Sequence, residues 1–117
     1  MKARKLTDSF NYAIDGLLYC IRTQRNMKIH LVIAALVLLL AGITKVTVLE
    51  TVVLLLTIAM VITAEMINTA IETVVDLVSS TYHPLAAIAK NVAAGSVLVA
   101  SILAAAIGYL IFYDNLS

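Results

Sequence analysis

Apolar residues in this chain gather into three long, nearly unbroken runs preceded by one periodic stretch. A membrane-crossing helix needs roughly 20 mostly apolar residues, and each run meets that length. The first runs from about Ile29 to Val48 and contains LVIAALVLLLAGI. The second runs from about Leu49 to Val75, around TVVLLLTIAMVITA, and the third from about Val92 to Phe112, around AAGSVLVASILAAAIGYLIF. The first link, near Thr44–Glu50, is very short; the second, near Asp76–Lys90, is longer and carries the only proline, Pro84. Residues 1–28 differ. Phe10, Ala13, Ile14, Leu17, Leu18 and Ile21 recur at helical spacing among basic and polar residues, which predicts an amphipathic helix lying in the membrane surface. The pattern therefore predicts an all-α membrane protein, with three transmembrane helices and an amino-terminal surface helix in one domain over 1–117.

Composition agrees with this reading. Hydrophobic residues make up 62% of the 117 and charged residues 13%. Soluble domains average about 45–50% and about 25%, and a globule this small cannot hide so much apolar surface. The net charge of +1 is neutral on nucleic acid, but its distribution is not even. Lys2, Arg4, Lys5, Arg22, Arg25 and Lys28 precede the first apolar run, and only Lys45 and Lys90 follow. Basic flanks stay on the cytoplasmic side. The amino terminus is thus expected inside, the Thr44–Glu50 turn outside, the Asp76–Lys90 loop inside and the carboxyl terminus outside. No apolar segment with a small-residue cleavage site occurs in the first thirty residues, so no cleaved leader is expected. Cys20 stands alone, which excludes an internal disulfide and a cysteine-built zinc site.

Four polar residues stand where polarity is costly. Glu65, Asn68, Glu72 and Asp76 are spaced three, four and four residues apart. At 100° per residue they fall within an arc of about 80°, one stripe running from inside the bilayer to its cytoplasmic edge. Ionisable groups within membrane helices mark functional sites by default. A carboxylate withdrawn from water binds a proton more readily, which suits Glu65 to general-base work. Glu72 and Asp76, nearer water, suit magnesium, usually held by one or two carboxylates plus substrate phosphates. Lys90 and Asn91 open the third run, where a lysine either snorkels to the surface or holds a phosphate. Two other readings fit the stripe: interhelical hydrogen bonding, and an ion path in an oligomer. His83 reads as a solvated loop histidine. The four glycines are scattered, so there is no Gly-rich phosphate loop, and G-x-S-x-G, H-E-x-x-H and CxxC motifs are missing.

The stretch Ala64-Glu65-Met66-Ile67-Asn68-Thr69-Ala70-Ile71-Glu72-Thr73-Val74-Val75-Asp76 resembles the E-x-x-N-[ST]-A-[IV]-E-x-x-[IV]-D signature of the prokaryotic diacylglycerol kinase family. The family's histidine loop and A-K-D triplet have counterparts in Tyr82-His83-Pro84-Leu85-Ala86 and Ala89-Lys90-Asn91. The resemblance covers nearly the whole chain. It implies a lipid kinase of the bacterial plasma membrane that moves the γ-phosphoryl of ATP to a lipid hydroxyl with Mg2+, working as a homotrimer with shared sites. It further implies Glu65 as the base with Asn68 beside it, Glu72 as a metal ligand and Lys90 as a phosphate contact. Lys5 and Tyr12 match nucleotide-contacting positions, with lysine replacing the commoner arginine, and His83 falls near the nucleotide.

Two positions depart from the family. Gln24 stands where it has a glutamate metal ligand, and Asn91 where it has aspartate. Each amide removes one negative charge beside the metal and phosphates, and an amide oxygen coordinates more weakly than a carboxylate. Weakened metal–phosphate contacts are therefore expected. The family has a diacylglycerol branch and an undecaprenol branch. Gln24-Arg25-Asn26-Met27-Lys28-Ile29-His30-Leu31 and the His83-Pro84-Leu85-Ala86 loop look more like the undecaprenol branch.

Overall fold

The computed structural model describes residues 5–116. Lys2 and Arg4 of the basic leading segment lie outside the described residues. Four helices follow one another: α1 (Leu6–Thr23), α2 (Arg25–Thr44), α3 (Val48–Val78) and α4 (Pro84–Leu116). No strand occurs among the described residues. The last three helices are long and apolar enough to cross a membrane, and only 11–22% of their most apolar windows is buried within the chain. Their outward side chains are mostly leucine, isoleucine and valine, so lipid is the solvent that matches them.

The amphipathic pattern of the leading segment does fold as a helix, α1. Its apolar residues Leu6, Phe10, Ile14, Leu17 and Leu18 are exposed, as a face resting on the lipid interface requires. Only Cys20 is buried. The helix stops earlier than the periodicity predicts, at Thr23. Gln24 is extended (φ −103°, ψ 112°) and is the sole residue between α1 and α2. Its N–H closes α1 on Cys20 O at 2.9 Å, and its carbonyl accepts the first bond of α2 from Lys28 N at 3.3 Å. The chain thus turns without orphaning a backbone group there. Arg25 and Lys28 accordingly belong to the first turn of the spanning helix.

The tight link after α2 reverses through Lys45, the one described non-glycine residue at positive φ (56°). Its N–H returns to Ala41 O, ending the helix in the left-handed manner. Thr47 then starts α3 with a reciprocal cap. Glu50 N–H donates to Thr47 Oγ1 at 3.1 Å, and Thr47 N–H donates to Glu50 Oε1 at 2.9 Å. Asn115, near the end of α4, donates to both oxygens of Glu50 at 3.2 and 3.1 Å. Beside this clasp, Ala41, Leu54 and Ile111 form an apolar core joining α2, α3 and α4.

The third span differs most from expectation. The long loop predicted over Asp76–Lys90 shrinks to residues 79–83. Asp76 stays in α3, while Lys90 and Asn91 lie inside α4 rather than opening it. Proline is tolerated at the first position of a helix, where its missing N–H costs nothing. His83 accepts the Leu85 N–H on Nδ1 at 3.1 Å and accepts the Ala87 N–H on its carbonyl at 3.0 Å, which caps the early start.

Candidate active site

Among the described residues, the buried polar ones all lie on α3: Thr57, Glu65, Asn68 and Thr69. Glu65 is 1% exposed, thirteen residues before the end of α3 and so about 20 Å of helix from it. Asn68 is buried one turn nearer the end, and Glu72 is half-buried a further turn on. Asn68 Nδ2 donates to Glu72 Oε1 over a long 3.4 Å. Asp76 is exposed and accepts from Lys90 Nζ at 2.6 Å. The stripe is therefore one face that grades from dry to wet, and α4 brings Lys90 to its wet end.

At the dry end, α2 and α4 close over Glu65. His30 Nε2 stands 3.7 Å from Glu65 Oε2, near enough for charge attraction when the ring is protonated but too far for a hydrogen bond. Glu65 Oε2, Asn68 Oδ1 and Ser101 Oγ are buried with no hydrogen-bond partner in the chain. Leaving a polar atom so costs about 1–3 kcal/mol, a cost that a polar ligand, water or a neighbouring copy relieves. All three residues line one cavity of about 300 Å³, together with Asn26 and His30. His30 and Ser101 also line a second space of about 770 Å³, an apolar groove between α2, α3 and α4 that passes Val37, Leu54 and Ala104 to Tyr113 and Leu116. The polar cavity and the apolar groove thus share two residues at their junction.

The remaining sequence candidates spread along the wet side. Gln24 sits half-buried at the α1–α2 joint, its Nε2 donating to Thr23 Oγ1 at 3.1 Å. Lys5 and Tyr12 are exposed on α1 and its leading residue, and Asn91 is exposed on α4. His83, also exposed, is engaged on Nδ1 as the α4 cap. Among the described residues no three His, Cys, Asp or Glu side chains cluster as a metal cage. A half-buried carboxylate with an amide beside it is instead the kind of donor set that completes the shell of a magnesium ion carried on a polyphosphate. Sequence reasoning passed over His30 and Ser101. The signal for His30 was present, since it is an ionisable side chain within a predicted span; Ser101 gave none.

The family model for prokaryotic diacylglycerol kinase matches residues 11–112, which hold every site candidate above except Lys5. An undecaprenol kinase of Bacillus subtilis (strain 168) is 38% identical over 108 residues, covering 92% of this chain and 88% of that protein. A diacylglycerol kinase of Synechocystis sp. (strain ATCC 27184 / PCC 6803 / Kazusa) is 44% identical over 107 residues, covering 91% of this chain and 61% of that longer protein. The chain belongs to the prokaryotic diacylglycerol kinase family. It is a membrane lipid kinase, a phosphotransferase acting on an alcohol group.

Proposed function

We propose that the chain transfers the γ-phosphoryl of ATP to undecaprenol, at the cytoplasmic edge of the bacterial plasma membrane. The observation that carries this reading is the junction described above. A buried carboxylate with a free oxygen lines a polar cavity, and that cavity meets an apolar groove. The groove follows α4 from Ser101 to Leu116, about 22 Å of helix, a length suited to a long tail. An alcohol enters sideways with its tail in the apolar groove and its hydroxyl at Glu65. The hydroxyl proton passes to Glu65 as the alcohol oxygen bonds to the γ-phosphorus. The bond from that phosphorus to the bridging oxygen breaks, and ADP leaves with the electron pair. Little covalent work falls to the protein, so positioning and charge stabilisation supply the rate.

The nucleotide lies along the wet end of the stripe, under α1. Lys90 exchanges its Asp76 partner for the transferring phosphoryl group, while Lys5 and Tyr12 reach the nucleotide from α1. Mg2+, when bound, neutralises phosphate charge; Glu72 would hold it, with the Gln24 amide oxygen as a weaker second ligand. The amino terminus faces the cytoplasm and the carboxyl terminus the outside. Three copies assemble, with sites shared between neighbours.

Diacylglycerol is the second reading, favoured by the 44% identical relative. The experiment is a reconstitution in vesicles holding undecaprenol or diacylglycerol, with magnesium and γ-labelled ATP, in which label in the extracted lipid is counted. Label in undecaprenol is expected. Label in diacylglycerol alone would reassign the substrate. The Gln24→Glu plus Asn91→Asp double variant, run alongside, is expected to turn over faster.

A further inference from the structure

The signature residues lie on α3, yet α2 and α4 also bring polar side chains to the cavity before Glu65: Asn26 and His30 from α2, and Ser101 from α4. His30 on α2 places Nε2 3.7 Å from Glu65 Oε2, with its side chain only 19% exposed. Ser101 on α4 has a buried Oγ with no partner. That is unusual here. Thr57, Thr69, Thr73 and Ser96 each donate to a carbonyl of their own helix, as hydroxyls in apolar helices do when nothing else engages them. Ser101 forgoes that bond and lines the same cavity as Glu65. Both residues also line the apolar groove. They stand where the head of a lipid alcohol would meet its tail.

We infer that His30 and Ser101 are positioning residues for the acceptor alcohol, His30 holding the Glu65 carboxylate and Ser101 the alcohol oxygen. A base with two equivalent oxygens works best when one is tied and the other faces the substrate. An imidazole N–H donating to Oε2 ties one. The 3.7 Å separation is of the kind that tightens when substrate enters, since hydrogen bonds at empty sites are commonly long. Ser101 then donates its O–H to a lone pair of the alcohol oxygen, leaving the alcohol's own proton directed at Glu65. No atom is transferred to either residue. This inference rests on the acceptor site proposed above, and it adds two side chains that the α3 signature does not contain.

The test uses the full chain in vesicles with undecaprenol and MgATP. His30→Ala is expected to lower kcat about 10- to 100-fold, the effect of losing a hydrogen bond to a charged group, with KM for ATP unchanged. His30→Gln, which retains an N–H donor, is expected to recover most of that loss. Ser101→Ala is expected to raise KM for undecaprenol about 3- to 10-fold without moving KM for ATP. Unchanged kcat in His30→Ala would overturn the role of His30. So would a loss that His30→Gln does not recover, or one accompanied by lost ATP affinity, since both mark a scaffold residue. Unchanged lipid KM in Ser101→Ala would overturn the role of Ser101. If unsubstituted protein labels only diacylglycerol, the undecaprenol reading fails while this test stands, with diacylglycerol as its acceptor.

Discussion

Replacing Glu65 by glutamine removes the proton acceptor while keeping the side chain's shape. The residue is 1% exposed, so bulk water does not stand in for the lost carboxylate. A positioned general base contributes about 10²- to 10⁴-fold, or about 2.7–5.5 kcal/mol of barrier at 1.36 kcal/mol per tenfold. Burial against an unpartnered oxygen places the expected loss near the middle, about 10³-fold in kcat. Nucleotide affinity should not change, because Glu72 lies about two turns away along α3 and Lys90 pairs still farther on, with Asp76. Stability should not fall either. The amide takes a charge out of an apolar bundle, and the carboxylate has no hydrogen bond on Oε2 to lose. The assay is single-turnover transfer of γ-label to lipid in vesicles, paired with thermal unfolding in one detergent. A kcat within about threefold of the unsubstituted protein would refute the base assignment. A kcat loss matched by a lower unfolding midpoint would show that Glu65 serves packing instead.

Three further outcomes are expected. Glu72→Gln should raise KM for MgATP about tenfold or more and leave lipid KM unchanged, measured by initial rates at varied ATP; an unmoved nucleotide KM would remove Glu72 from the metal site. Lys90→Ala should raise KM for ATP and Asp76→Ala should not, with no change in unfolding midpoint for either, because their pair is exposed and such pairs add little stability. Equal effects on nucleotide KM would mean that the pair acts as one unit. Thr47→Ala should lower stability by about 1 kcal/mol through loss of the α3 cap, read by denaturant titration in detergent, with kcat unchanged.

The fold was legible because lipid imposes a coarse code. Length and apolarity announce a span, and a 3.6-residue period announces a helix with one greasy side. The α3 stripe was legible for the same reason, since Glu65, Asn68, Glu72 and Asp76 belong to a single helix whose geometry fixes their shared face. What hydropathy missed were endings. The start of α4 depends on one proline and one histidine ring nitrogen, which carry no apolar signal. The stop at Gln24 depends on two dihedral angles. The approach of His30 and Ser101 to Glu65 depends on how three helices rotate against one another, and no one-dimensional pattern contains that. Lys90 shows the middle case. Its candidacy as a phosphate contact was legible, but its actual partner, Asp76, comes from the earlier start of α4.

The joint at Gln24 makes α1 a lever. Eighteen residues of helix give it a length of about 27 Å, so a turn of about 5° at Gln24 sweeps its far end through about 2 Å. Two parts of the proposed nucleotide grip, Lys5 and Tyr12, ride on that arm, while its apolar underside is exposed toward the headgroup layer. In the proposed arrangement, the height of the membrane surface relative to α2 would set how far α1 stands over the site. On the proposed nucleotide site, bilayer thickness would be a mechanical input to nucleotide affinity, with its fulcrum at Gln24, where the family resemblance implies a carboxylate.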